Sequence, residues 1–276
     1  MDELVARLRA AGCVFAEDEA RILSEAADGD ARRLEELTAA RVGGLPLEHL
    51  VGWAELDGRR WLVAPGVFVP RQRSELLVRE AAALAAASPA SGPVLLVDLC
   101  CGCGALGGAA AARLLATGLD VEIHAADVDP AAVGCAHDNL TALAEDSPGA
   151  GRLTAHTWTG DLAEPLPAEV QGRVDVIVAN APYVPTAAIS MMPPEAREHE
   201  PHAALDGGDD GLAILRRVID VAPRLLRPGG HLLVETGESQ VSAAVGHLEA
   251  AGLVPTVLED DDLGATVLSA TAVPAP

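Results

Sequence analysis

The sequence predicts an α/β fold in which a mostly parallel, doubly wound seven-stranded sheet, its last strand antiparallel, follows a small helical segment and a β-hairpin. Three observations carry this prediction. From about residue 74, apolar strand-like runs alternate with helical periodicity, the pattern of βαβ units. The last two strand-like runs are separated only by "DDDLGA", too short for a parallel crossover, so they pair antiparallel at one edge. Residues 2 to about 43 read as helical, with no strand pattern between.

The elements follow in order. "ELVARLRAAG" closes on Gly12, and "DARRLEELTAARVGG" opens with an Asp cap and ends at paired glycines. "AELDGRRWLVAPG" sets Asp57-Gly58 between two short extended runs, which is hairpin chemistry. These features place a helical domain at 1–52, a hairpin linker at 53–73 and the α/β domain at 74–276. The seven predicted strands are "VLLVDLC", "EIHAADV", "LTAHTW", "VDVIVA", "HLLVET", "PTVLE" and "TVLSATA". Helices between them include "ALGGAAAARLLATG" and "LAILRRVIDVAPRLL", while "AEDSPGAG" reads as a surface loop.

Composition narrows the function. Half of the 276 residues are hydrophobic but only 2% are aromatic, so Ala, Leu and Val must fill the core. The formal charge is -22, and every cationic side chain apart from histidine is Arg. Such a surface repels phosphate backbones and anionic lipid, which disfavours nucleic acid and membranes as partners. "MDELVARLRA" lacks the apolar stretch of a secretion signal and no run reaches the roughly 18 apolar residues of a membrane span, so a cytoplasmic location is expected. Five cysteines without secretory context argue against a disulfide framework. "CCGC" lacks a second cysteine pair and "HEPH" lacks further ligands, so no metal is expected at either.

"VLLVDLCCGCGALGGAAAARL" is a strand, a glycine-rich turn and a helix start. Gly102, Gly104 and Gly107 match G-x-G-x-x-G, and Asp127 ends the next strand about 20 residues on, where a carboxylate meets a ribose. Dinucleotides and S-adenosyl-L-methionine share that ribose, so the loop alone leaves both open. Asp98, just before the turn, opposes a pyrophosphate yet suits a ligand bearing an amino group and a sulfonium, which favours S-adenosyl-L-methionine. After the third strand, "TGDLAEPL" places Asp161 at an adenine edge and Leu162 over its face.

"NAPYVP" follows the fourth strand. Asn180 therefore stands at the sheet's switch point, beside the glycine loop. Pro182 drives Ala181 to extended geometry, so the Asn180 side-chain amide and the Ala181 carbonyl offer two acceptors side by side. Two acceptors suit a planar NH2 group, and Tyr183 can pack against the group that carries it. This is the constellation of amino methyltransferases. A nucleic-acid or small-molecule amino group, a dinucleotide-dependent oxidoreductase and a non-enzymatic scaffold remain as other readings.

The sequence resembles the HemK/PrmC family of protein-glutamine methyltransferases along most of its length. "PGVFVPRQRSELLV" is similar to the family's P-R-P-E-T-E-x-L-V, "VDLCCGCGALG" to its cofactor loop, "NAPYVP" to N-P-P-Y-[VI], and "EPHAALDGGDDGLAILRRV" to E-P-x-x-A-L-x-G-G-x-D-G-L. The resemblance implies a Rossmann-like class I methyltransferase sheet, its seventh strand between the fifth and sixth, and S-adenosyl-L-methionine as cofactor. It implies that Cys100, Cys101, Gly102, Cys103, Gly104, Asp127, Leu162 and Asn180 contact the cofactor. Asn180, Ala181, Pro182 and Tyr183 would hold the amide of a protein glutamine, as in a translation release factor or ribosomal protein, with the helical domain docking that protein. Three residues depart from the pattern: Ala181 replaces a proline, Arg73 a glutamate and Leu162 an aromatic. The helical domain is also short for the family.

Overall fold

The computed structural model describes residues 1–87, 92–146 and 151–273. Of the loop expected at 144–151, residues 147–150 lie outside the described residues. Four helices come first: α1 (Asp2–Ala10), α2 (Ala16–Ala27), α3 (Ala31–Val42) and α4 (Leu47–Val51). The Asp30 carboxylate caps α3, accepting from the backbone N–H of Arg32 at 2.8 Å and of Arg33 at 3.1 Å, as the sequence predicts. Leu4, Leu8, Leu23 and Leu37 close a core among these helices.

Strands β1 (Trp53–Leu56) and β2 (Arg59–Leu62) form the expected antiparallel hairpin. Asp57 and Gly58 both take positive φ, 55° and 68°, which is what a two-residue turn needs to match strand twist. Trp61 of β2 is buried, its indole N–H donating to the Leu56 carbonyl at 3.1 Å. A Cβ on Gly108 would come within 2.6 Å of that ring, so a glycine there lets the hairpin pack directly on the helix behind the glycine loop.

The remaining elements are α5 (Glu75–Ala87), β3 (Val94–Leu99), α6 (Ala105–Ala116), β4 (Val121–Asp127), α7 (Pro130–Glu145), β5 (Leu153–Thr159) and β6 (Val174–Ala179). They are followed by α8 (Pro194–His199), α9 (His202–Leu205), α10 (Ala213–Leu225), β7 (Leu226–Glu235), α11 (Val241–Ala250), β8 (Leu253–Asp260) and β9 (Ala265–Ala272). Each of the seven predicted strands is present. The sheet order is β5-β4-β3-β6-β7-β9-β8, with β9 antiparallel to both neighbours, between the fifth and sixth strands of the sheet.

Alternate residues of the strands feed two cores, the signature of a sheet covered on both faces. Leu96, Ile123, Val176 and Val178 pack with α5, α6 and α7, whereas Val97, Leu99, Ile177 and Ala179 pack with α10 and α11. The span from 184 to 210, read from sequence as a Pro- and Gly-rich loop, contains a 3-10 turn (Thr186–Met191) and the short helices α8 and α9. Its prolines start these turns: Pro194 begins α8, and Pro201 immediately precedes α9, positions where a missing N–H costs nothing.

Candidate active site

β3 and β6 lie side by side and parallel, with Asp98 opposite Val178 and Leu99 opposite Ala179. From β3 the chain moves to β4 on one side of the sheet, and it re-enters at β6 on the other. The loops after β3 and β6 therefore diverge and leave a crevice at the strand tips. A cavity of about 380 Å³ opens there. Asp98, Cys100, Cys101, Gly102, Cys103, Asp127, Asp161, Leu162, Asn180 and Pro182 all line it, so the structure brings together ten of the residues singled out by sequence.

The glycine loop is built around Asp98. This carboxylate is only 1% exposed and accepts from the Gly107 N–H at 2.9 Å. A Cβ on Gly107 would sit 2.7 Å from its Oδ2, so only glycine lets α6 approach this closely. Burial pushes the Asp98 carboxyl up to about 7; the Gly107 N–H opposes the rise and the neighbouring Asp127 adds to it. Cys100 adopts φ 56°, a left-handed conformation costly for a non-glycine residue. Burial raises the thiols of Cys100, Cys101 and Cys103 above their ordinary value, which keeps them protonated and uncharged. Gly104 does not line the cavity. Its φ is 75° and a Cβ there would meet Ala136 at 2.9 Å, so it serves the packing of the loop on α7.

Asp127, at the tip of β4, accepts from the Gly102 N–H at 2.9 Å and the Asp129 N–H at 3.0 Å. One oxygen is used by each, so each retains a lone pair for a ligand hydroxyl. Leu162 is buried with φ 49° and forms an apolar wall. Asp161 lines the cavity as expected of an adenine-edge carboxylate, and it is paired there: Arg217 of α10 donates to its Oδ2 at 2.6 Å. Arg217 also lines the cavity and was not found by sequence reading, because a helical Arg carries no local signal of what it faces.

Asn180 leaves β6 with its Nδ2 buried and without a hydrogen-bond partner among the described residues. Ala181 is buried and does not line the cavity. Tyr183 also lies outside the lining; its hydroxyl accepts from Arg73 and donates to Glu235 Oε1 at 3.3 Å. Gln240 holds this turn from behind. Its Nε2 donates to the carbonyls of Tyr183 and Asp210, both at 2.9 Å, while its Oε1 accepts from the Gly237 N–H at 3.0 Å. Gln240 thus ties the "NAPYV" turn to the "DGGDDG" segment, a role invisible in a lone glutamine 57 positions away.

The chain is 36% identical over 228 residues to the release factor glutamine methyltransferase of Geobacter sulfurreducens, across 83% of this chain and 73% of that protein. It is 34% identical over 269 residues to the protein of the same name from Bradyrhizobium diazoefficiens, across 91% of this chain and 86% of that one. The chain belongs to the release factor glutamine methyltransferase family. No family model matches it. Among solved structures, the T. thermophilus 16S rRNA N2 G1207 methyltransferase superposes with a TM-score of 0.53 at 24% identity, over 80% of this chain and 49% of that one. The ribosomal protein L11 methylase of Lactobacillus delbrueckii gives 0.52 at 14%, over 77% and 84%. These likenesses are of fold, and the sheet is that of class I methyltransferases.

The cofactor of a release factor glutamine methyltransferase is S-adenosylmethionine, and the cavity fits it. Its volume falls within the roughly 300 to 1,000 Å³ of small-molecule sites. Its buried acid Asp98 suits a cationic ligand, and the free lone pairs of Asp127 suit ribose hydroxyls. Two further segments complete the wall in this family member: residues 66–70 after the hairpin, and residues 201–204 at α9. An ion pair between Arg71 and the buried Glu200 joins them. Arg41 of α3 extends the same linkage, donating to Glu19 of α2 at 2.6 Å and to Glu195 of α8 at 3.1 Å.

Away from the cavity, Glu122, His124 and His156 place possible ligand atoms within 4.8 Å of one another. Trp158 donates its indole N–H to His124 Nδ1 at 3.1 Å, so the neutral ring carries its proton on Nε2 and gives it to Glu122 Oε1 at 3.1 Å. Protein groups satisfy His124 at both nitrogens, and no lone pair is left there for a metal.

Proposed function

We propose that the chain transfers a methyl group from S-adenosylmethionine to the side-chain amide nitrogen of a glutamine in a protein, the substrate being a translation release factor in the cytoplasm. Family membership supports the reaction class. The observation that carries the site assignment is the Asn180 side chain at the cavity wall: its Nδ2 donor has no protein partner among the described residues and calls for a ligand acceptor, and the Oδ1 beside it is the acceptor proposed for the substrate amide. A buried polar atom left unpaired costs about 1 to 3 kcal/mol, a cost that a bound ligand removes.

When bound, the cofactor supplies an electrophilic methyl on a sulfonium. A carboxamide nitrogen is a weak nucleophile because its lone pair is delocalised. The Asn180 Oδ1 accepts an amide proton and turns the lone pair toward the donor; the backbone carbonyl of Ala181, a residue outside the cavity lining, is the second acceptor that the family resemblance implies. These contacts strengthen as the nitrogen becomes tetrahedral and positive, so they lower the barrier rather than merely bind substrate. The methylated nitrogen is strongly acidic and releases its extra proton to water, so no general base of matched pKa is required. Asp98 and Asp127 orient the cofactor, Leu162 covers its adenine, Pro182 confines the glutamine, and Tyr183 holds the turn from outside the cavity lining. The helices of residues 1–52 dock the protein, and the 184–210 segment admits its glutamine-bearing loop.

The test is Asn180→Ala, assayed by labelled methyl transfer to a release factor alongside calorimetric cofactor binding. Turnover falls by at least about 100-fold while cofactor affinity stays within about tenfold. Undiminished turnover would remove Asn180 from the chemistry.

A further inference from the structure

Arg73 occupies the position where the related segment carries an acid, and its surroundings give the exchange a purpose. Its Nε donates to Glu235 Oε1 at 2.7 Å, and its Nη2 donates to the Tyr183 hydroxyl. Its guanidinium carbon lies 5.9 Å from the centre of the Tyr183 ring. Glu235, the last residue of β7, has a side chain only 2% exposed and also accepts from Ser74 Oγ at 2.6 Å and from the Tyr183 hydroxyl. The phenol is thus held at two points. Arg73 fixes its oxygen as an acceptor, and Glu235 takes its proton. The register Ala179 to Val234 puts Glu235 beside Asn180 at the strand tips, so this cluster sits directly behind the "NAPY" turn.

We propose that Arg73 is a positioning residue for methyl transfer, acting through Tyr183: paired with Glu235, it locks the tyrosine ring and thereby the turn that presents the acceptors to the glutamine amide. The guanidinium does two things at once. It compensates the charge of a buried carboxylate, which unpaired would draw in water or a proton. It also removes the freedom of the phenol to rotate its hydroxyl toward other acceptors. An acid at this position would face Glu235 as a like charge, so Arg73→Glu does not restore a family arrangement here. It breaks this one. The Ala181 substitution makes the lock more consequential, since the turn has lost the rigidity of one proline.

The inference rests on the reading of Asn180 to Tyr183 as the glutamine site, and the experiment separates the two. Tyr183 is the sole tyrosine of the chain, so isotope-labelled tyrosine gives one ring resonance that reports this cluster alone. Arg73→Met, Tyr183→Phe and the double variant are compared for kcat, for KM of the release factor and for cofactor affinity. Arg73→Met is expected to move the ring resonance toward that of free tyrosine and to lower kcat about 10- to 100-fold, with cofactor affinity within about threefold. In the Tyr183→Phe background the same change costs less than about threefold, because its effect runs through the phenol. Arg73→Lys, which keeps the charge and one donor, recovers part of kcat and also decides the matter if Arg73→Met does not fold. Equal losses in both backgrounds, or an unmoved resonance with full turnover, overturn the proposal. If Asn180→Ala retains turnover, the site reading fails instead, whatever Arg73 does.

Discussion

Asp98 is a buried acid whose protonation is poised near neutrality. Its folded-state pKa is raised to about 7 by burial, so the apo protein gains relative stability below the ordinary carboxylate range and loses it as pH rises through about 7. A cationic ligand reverses the preference by favouring the carboxylate. Affinity for S-adenosylmethionine should therefore climb as pH is raised from about 6 to 8, with proton release seen as a buffer-dependent binding enthalpy. In Asp98→Asn the slope should vanish and affinity should drop. Gly107→Ala is a second test at this scale: the added methyl has no room against Asp98 and Ile123, and a loss of about 1 to 3 kcal/mol is expected in denaturant titration. Residues like Asp98, Asp127 and Asn180 were legible in the sequence because their positions relative to a strand end fix their environment. Gln240, Arg217 and Glu235 were not, since what they touch is set by packing between segments remote in sequence. Asp161 was only half legible: its place was right, but its partner Arg217 comes from another helix.

At the scale of elements, β3 and β6 were readable as strands because both are buried along their whole length and are apolar except for one aspartate each, Asp98 and Asp175. The short helices α8 and α9 were not, for four to six residues among prolines show no periodicity. Asn139 of α7 shows what element docking adds. Its amide donates to the carbonyls of Leu62 and Cys103, both at 2.8 Å, and its Oδ1 accepts from the Leu62 N–H at 2.7 Å, so it stitches the hairpin to the cofactor loop. Arg41 plays the comparable part between α2, α3 and α8. Its side chain is largely buried, and Arg41→Ala would leave Glu19 without its partner. A destabilisation of about 3 kcal/mol is expected, together with faster proteolysis within residues 186–206 than in the parent protein. Proteolysis at the parent rate would show that the α3–α8 tie does not restrain that segment.

Over the whole molecule, the formal charge of -22 argues against nucleic acid among the partners that a methyltransferase fold admits. The T. thermophilus fold relative is an rRNA methyltransferase, yet binding of nucleic acid depends on cations releasing counterions from phosphate. Filter binding of single-stranded RNA and DNA at low ionic strength should retain neither, and salt-sensitive retention of either would reopen that alternative. Among the described residues no helix is long and apolar enough to cross a membrane. The Arg71–Glu200 pair joins the two segments that complete the cavity wall, and these lie 129 positions apart in the chain. A clasp between segments so far apart predicts that release of the spent by-product sets the pace of the cycle: thickening the solvent with sucrose should slow steady-state turnover while leaving a single round of transfer on the preloaded enzyme untouched.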